Sequence, residues 1–80
     1  MDAKITYVVF SDVNPRDGIG LETYVEDALV MEIFRDDTEQ RTYMRAFASA
    51  IDLDVLTGSV AEFNKRIVRE YLSDTLRDDD

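Results

Sequence analysis

The chain has 80 residues, of which 45% are hydrophobic, 18 are Asp or Glu and 9 are Lys or Arg, giving a net charge of −9. This length and hydrophobic content indicate one small globular domain with a thin core, and the negative charge disfavours direct binding to nucleic acid or to an anionic membrane. Cysteine and histidine are both absent, which excludes disulfides, thiolate zinc sites and the common Cys-His and Ser-His-Asp catalytic systems.

Alternating apolar and polar residues predict four antiparallel strands in the first part of the chain. The predicted strands span 4–10, 21–26, 29–35 and 41–47, and they are separated by a loop at 11–20 and by short connections at 27–28 and 36–40. The first strand is apolar on both faces, so its orientation stays open. The period of two assigns the following side chains to the core face: Leu21, Thr23, Val25, Leu29, Met31, Ile33, Thr42, Met44 and Ala46.

After Ala50 the apolar period becomes that of a helix. Asp52 predicts the cap of a short helical turn that ends at Gly58, and Ser59 with Glu62 matches a capping box that opens the main helix. The apolar arc of this helix is predicted to consist of Val60, Phe63, Ile67, Val68, Tyr71 and Leu72.

The predicted fold is therefore α+β, a four-stranded antiparallel β-meander with a C-terminal helix packed on one face (ββββα). The domain is expected over residues 1–77, with a disordered acidic tail at 78–80. The longest apolar run covers only residues 7–10, too short for a signal peptide or a membrane span. A cytoplasmic protein with no membrane association is expected.

No cofactor, metal or catalytic site is expected from the sequence. Gly18-Ile19-Gly20 lacks the third glycine and the Lys-Ser/Thr pair of a phosphate loop. The carboxylates of Asp36, Asp37 and Glu39 lack the ligand spacing of an EF-hand. We therefore expect a binding protein and not an enzyme.

The outer sheet face, opposite the core face, is the main candidate contact surface. It combines tyrosine and arginine, which protein interfaces favour, with carboxylates that select a basic partner. The same residues are also ordinary cross-strand pairs that stabilise an open sheet face, and both interpretations stay open. Val30 is predicted on this face, and the candidate partner-binding residues are Glu22, Tyr24, Glu26, Glu32, Phe34, Arg41, Tyr43, Arg45, Asp36 and Asp37.

A second candidate contact surface is an acidic rim formed by loop residues. Solvated turn chemistry explains the same carboxylates without any partner. The rim is predicted to consist of Asp12, Asp17, Asp36, Asp37 and Glu39.

The segment Glu32-Ile33-Phe34-Arg35-Asp36-Asp37, the restart at Arg41-Thr42 and the predicted C-terminal helix resemble a group of very small acidic bacterial proteins, over residues 20–76. In size and charge the chain is also similar to bacterial toxin-immunity proteins and phage-encoded inhibitors. The resemblance implies a protein that occludes a nuclease or a nucleic-acid-binding protein, in some cases by imitating phosphates with carboxylates. It carries over no individual residue role.

Charge and resemblance together predict a domain that inhibits or regulates a basic protein partner by occlusion and electrostatic complementarity. The alternative is a structural module that homodimerises through its outer sheet face. A third hypothesis, weaker than these two, is a carboxylate-based hydrolase. The charge by itself is also explained by solubility or by a salt-adapted host.

Overall fold

A computed structural model describes residues 3–12 and 17–67 of the chain. Its sheet contains β1 (Ile5–Asp12), β2 (Gly18–Val25), β3 (Ala28–Asp36) and β4 (Arg41–Ala46), and one helix follows, α1 (Leu53–Arg66). The strands lie in the order β1-β2-β3-β4, and each neighbouring pair is antiparallel. The predicted ββββα fold is confirmed.

The β1–β2 register orients the strand that the sequence left open. Tyr7 lies opposite Thr23 and Val9 opposite Leu21, so these β1 residues share the helix-facing side of the sheet with buried partners. Phe10 lies opposite Gly20 and points to the other side. β1 extends to Asp12 and β2 begins at Gly18, so the prediction of a loop throughout 11–20 is wrong.

A β-bulge in the β2–β3 pair reverses two predicted side-chain directions. Thr23 pairs with Met31 whereas Tyr24 pairs with Leu29, which leaves Val30 as the extra residue of β3. Val30 packs against the core, and Leu29 shares the outer face with Tyr24. The period of two had placed Leu29 in the core and Val30 outside, and the inserted residue explains why both placements are wrong.

Helix α1 is continuous through the position where the sequence predicted a break. Asp52 is its N-cap, with the Asp52 carboxylate accepting a hydrogen bond from the backbone N–H of Asp54 at 3.1 Å. Gly58 lies inside the helix with a negative φ angle. The predicted helix stop at Gly58 and the predicted start at Ser59 are therefore wrong.

The residue types of α1 explain where it packs and where it ends. Phe63 and Ser59 are buried against the sheet, and Glu62 pairs with Arg66 as the i,i+4 spacing predicts. Ile67 caps the helix with extended backbone angles, and its N–H donates to the Phe63 carbonyl at 2.8 Å. The predicted helix residues Val68, Tyr71 and Leu72, and the tail at 78–80, lie outside the described residues.

The core lies between α1 and the first three strands. The helix contacts β1, β2 and β3, and the expected core positions Ile33 and Ile67 are buried. β4 extends beyond the helix, so Met44 is 42% exposed and Ala46 is also exposed. The prediction that β4 contributes a buried core face is therefore wrong.

Candidate functional site

The outer sheet face carries a row of aromatic rings that crosses all four strands. Phe10, Gly20, Phe34 and Tyr43 lie opposite one another in successive strands. A Cβ at Gly20 would lie 2.6 Å from the Phe10 ring, so only glycine leaves room for that ring over β2. The Phe10 and Phe34 rings stack with centroids 5.8 Å apart, and Tyr43 tilts against Phe34 at 6.0 Å. Phe34 is consequently 0% exposed and presents no area to a partner.

Charged residues beside the aromatic row are engaged within the sheet. The Arg45 guanidinium lies 3.9 Å from the Glu32 carboxylate, and Glu32 is 4% exposed. Arg41 lies over the Tyr43 ring, with its guanidinium carbon 4.7 Å from the ring centroid. The Glu32–Arg45 contact is a cross-strand pair, and the Arg41–Tyr43 contact joins two neighbours along β4. Both fit the interpretation of this face as an open sheet face that is stabilised by its own side chains.

Tyr24 and Glu22 form a second polar pair on this face. The Tyr24 hydroxyl donates to the Glu22 carboxylate at 2.9 Å. This hydrogen bond, with smaller contributions from desolvation and the Glu22 charge, raises the pKa of Tyr24 above its usual 10.0. Both side chains are half-buried, so they remain accessible to a partner only in part.

The predicted acidic rim is largely absorbed by local structure. The Asp36 carboxylate accepts a hydrogen bond from the Glu39 backbone N–H at 2.9 Å, and Asp37 pairs with Arg35 at 3.1 Å. Both carboxylates are buried. Their partners lie within three residues along the chain, so each carboxylate folds back onto its own turn. Asp17 and Glu39 stay exposed, and the side chain of Asp12 lies outside the described part of the chain.

The predicted contact residues thus fall into distinct environments. Four of the ten candidates, Glu32, Phe34, Asp36 and Asp37, are buried. Glu22, Tyr24 and Tyr43 are half-buried, and Arg41 and Arg45 are exposed. Glu26 leaves the sheet altogether, because it lies in the β2–β3 turn. The outer face therefore exposes less apolar area and less negative charge to solvent than the sequence predicted.

The β2–β3 turn is a tight two-residue connection with an unusual backbone. Glu26 and Asp27 have φ angles of 52° and 72°, as in the type I′ turns that match the twist of a hairpin. The Glu26 carboxylate accepts a hydrogen bond from the Lys4 backbone N–H at 2.7 Å. Both turn side chains are exposed, so the turn projects two carboxylates into solvent.

The start of α1 brings further carboxylates to the same end of the domain. Asp52 lines a pocket with Val25, the residue before the turn, and both Asp52 and Asp54 are exposed. The pocket has a volume of about 210 Å³, and apart from Asp52 its lining is aliphatic: Ala3, Val25, Val30, Ala50, Ile51 and Val55. We call the pocket with Glu26, Asp27, Asp52 and Asp54 the turn-end surface.

Within the described residues, no ion pair neutralises the carboxylates of the turn-end surface. Over residues 3–12 and 17–67, the ion pairs use the carboxylates of Glu32, Asp37 and Glu62, and none involves Glu26, Asp27, Asp52 or Asp54. Lys4 is exposed and its backbone lies at this end. The net field around the pocket is therefore negative.

Sequence reasoning missed the turn-end surface because its parts are distant along the chain. Asp52 was identified as a helix cap and Glu26 as an outer-face residue, and each assignment considers only local neighbours. Their proximity depends on how α1 returns along the sheet. The sequence shows that an acidic residue follows Val25 and another follows Ile51, but it gives no distance between these two segments.

The fold and this surface define a class of small α+β domain with an open antiparallel sheet, one covering helix and an acidic end. Comparison of the chain with models of protein families, with curated proteins and with solved structures finds no match. The described helix is too short and too polar to cross a membrane. Within the described residues, no group of three or more His, Cys, Asp or Glu side chains could hold a metal ion.

Proposed function

We propose that this domain binds a basic protein partner and inhibits or regulates it by covering part of the partner's surface. The proposal is carried by the turn-end surface, where the exposed Asp52 lines an otherwise aliphatic pocket. The exposed carboxylates of Glu26, Asp27 and Asp54 belong to the same surface, and within the described residues none of the four carboxylates forms an ion pair. Lysine and arginine combine an apolar stem with a cationic head. The pocket can hold the stem while the carboxylates contact the head.

The net charge supports the same partner chemistry at longer range. A charge of −9 on 80 residues attracts a basic protein before contact and raises the association rate. The same charge repels nucleic acid, so nucleic acid itself is a poor partner. A protein with a cationic surface that binds nucleic acid fits better. A nuclease or another nucleic-acid-binding protein in the cytoplasm is the class of partner that we propose, with no catalysis by this domain.

The proposal can be tested first with a defined probe. A fluorescein-labelled peptide of alternating lysine and leucine residues supplies both the cationic and the apolar chemistry, and fluorescence anisotropy reports its binding. We expect the double variant Asp27→Lys/Asp54→Lys to weaken binding by about tenfold or more at low salt. High salt should reduce the difference, because screening at 0.15 M limits charge interactions to about 8 Å.

A matched control separates the site from the overall charge. Asp17→Lys/Glu39→Lys reverses the same number of exposed carboxylates, but at the opposite end of β2 and β3. We expect this control to weaken binding much less than the turn-end variant does. Equal weakening by both variants would show that net charge alone attracts the peptide, and a parent protein that fails to bind at low salt would contradict the proposal.

The same two variants, together with Tyr24→Ala, then serve to identify a natural partner. The parent protein and both variants are immobilised and exposed to lysate from the native host. A basic protein captured by the parent and by the Asp17→Lys/Glu39→Lys control, released by salt and lost from the turn-end variant, supports the proposal. Loss of capture after Tyr24→Ala, with no loss in the turn-end variant, would place the contact on the outer face instead.

A further inference from the structure

In the part of the chain that the structure describes, strand β4 is an edge of the sheet, and the direction of its backbone hydrogen bonds follows from one bond to β3. The N–H of Phe47 donates to the Val30 carbonyl at 2.8 Å, and bonded pairs in an antiparallel ladder recur at every second residue. Tyr43 and Arg45 therefore bond to β3, while Thr42, Met44 and Ala46 direct their backbone N–H and C=O groups outward. Such an edge is a template for another strand.

An apolar groove runs along this edge on the helix-facing side of the sheet. It has a volume of about 250 Å³, and the helix does not close it because β4 extends beyond α1. Met44 and Val60 are 42% and 41% exposed at its rim. Its apolar lining comprises Ile33, Met44, Leu56, Val60 and Phe63. A strand added to β4 would cover apolar area and satisfy the outward backbone groups together.

The local charge of β4 differs from that of the whole domain. The strand Arg41–Ala46 contains two arginines and no carboxylate, whereas the chain carries −9. Repulsion between two copies is therefore smallest where they approach through this edge. A second copy brings the same apolar groove and the same outward backbone groups, which a two-fold interface requires.

We propose that two copies of this chain pair through β4 in an antiparallel, two-fold symmetric continuation of the sheet. The register that fits best places Met44 opposite Met44 of the partner subunit on the symmetry axis. In that register Arg45 meets an aromatic ring, Tyr43 of the partner subunit, and Arg41 meets Phe47 of the partner subunit. A shift that centres the pairing on Tyr43 would instead oppose Arg41 and Arg45 of the two copies, which like charge disfavours.

Two single-cysteine variants test the pairing directly, because the chain contains no cysteine. A bonded antiparallel pair on the axis has a Cα separation of about 5.5 Å, which lies within the range for a disulfide. Met44→Cys should therefore form a disulfide-linked dimer rapidly under mild oxidation. Val9→Cys is the matched control, since Val9 is 41% exposed on the opposite edge strand β1, and it should link at least about tenfold more slowly.

Sedimentation equilibrium of the unmodified protein provides a second readout. We expect a dimer that strengthens with added salt, because salt screens the repulsion between copies. Met44→Lys should weaken it about tenfold or more, equivalent to about 1.4 kcal/mol, while circular dichroism shows an unchanged fold. A monomer up to about 1 mM, equal linkage of both cysteine variants, or linkage only between Met44→Cys and Val9→Cys in a mixture would overturn the proposal. None of these results bears on the proposed basic partner.

Discussion

The hydroxyl groups of Thr23 and Ser59 lie 2.7 Å apart and join the sheet to the helix inside the core. Both residues are 0% exposed, and the Ser59 hydroxyl also lies 2.7 Å from the Val55 carbonyl. Within an otherwise apolar layer, each hydroxyl satisfies the other's hydrogen-bonding need. The pair therefore fixes the position of α1 over β2 more specifically than apolar contact alone does.

Removal of one hydroxyl of this pair should destabilise the domain. Ser59→Ala leaves the Thr23 hydroxyl buried and unpaired, at a cost of about 1–3 kcal/mol in the free energy of unfolding measured by urea denaturation. Thr23→Val in the Ser59→Ala background should recover part of that loss, because it removes the unpaired group. Strictly additive effects of the two substitutions would show that the hydroxyls do not interact.

Gly58 brings α1 close to β1, and this contact can be tested with a double variant. A Cβ at Gly58 would lie 3.1 Å from the Tyr7 hydroxyl oxygen. Alanine favours the helix over glycine by about 1 kcal/mol, but the contact with Tyr7 should offset this gain. We expect Gly58→Ala to be neutral or destabilising in the parent and stabilising in a Tyr7→Phe background. Equal effects in the two backgrounds would contradict the close approach.

The strand residues of the core and the helix residues Gly58 and Ser59 show which features of the fold can be predicted from local sequence and which cannot. The period of two in Leu21, Thr23, Met31 and Ile33 predicts the strands and their core face, because those side chains follow local alternation. By local rules, Gly58 and Ser59 fit the end of one helix and the start of the next as well as they fit the interior of a single helix. Only their contacts with Tyr7 and Thr23, which lie far away along the chain, show that both are internal to one helix.

The same limitation applies to the candidate site. The sequence identifies Asp52 as a cap correctly, since capping depends on adjacent residues. It gives no indication that β3 contains an extra residue at Val30, because Ala28-Leu29-Val30-Met31 is apolar throughout. The pocket beside Asp52 depends on that bulge, since Val30 forms part of its lining, and therefore it could not be predicted.

The β2–β3 turn should accept glycine with a gain in stability. Asp27 has a φ angle of 72°, a region that glycine occupies without the steric cost that other residues incur. Asp27→Gly should raise the free energy of unfolding by about 0.5–1 kcal/mol. Ala28→Gly, one residue later in β3, should lower it by a similar amount. If both substitutions destabilise the domain, the turn is not of type I′.

Tyr24 should titrate at a higher pH than an isolated tyrosine. The Glu22 carboxylate accepts a hydrogen bond from the Tyr24 hydroxyl and thereby raises the pKa of Tyr24, so folding favours the protonated phenol. The contribution of this hydrogen bond to the stability of the fold is fully present below the pKa of tyrosine in the unfolded chain, about 10, and is lost as the pH rises through the pKa of Tyr24 in the folded protein. Glu22→Gln should lower the pKa of Tyr24, and a pH titration followed by NMR of the labelled phenol carbon would measure the change. An unchanged value would mean that the two side chains do not interact in solution.

Phe34 distinguishes a structural role of the outer face from a binding role. Its ring is 0% exposed between Phe10 and Tyr43, and deletion of a buried phenylalanine side chain costs about 3–5 kcal/mol. A domain of this size has a free energy of unfolding of about 5 kcal/mol. Phe34→Ala should therefore leave a large fraction of the molecules unfolded. Phe34→Leu should retain the fold with a smaller loss.

The informative comparison is between stability and peptide binding in the folded Phe34→Leu variant. If the ring is structural, this variant should lower the melting temperature yet bind the lysine–leucine peptide with nearly the parent affinity at temperatures where both are folded. Tyr43→Ala, which truncates the neighbouring half-buried ring, should behave in the same way. A loss of about tenfold or more in affinity without loss of stability would instead identify the aromatic row as the contact surface, since interface aromatics contribute 2 kcal/mol or more where they are buried by a partner.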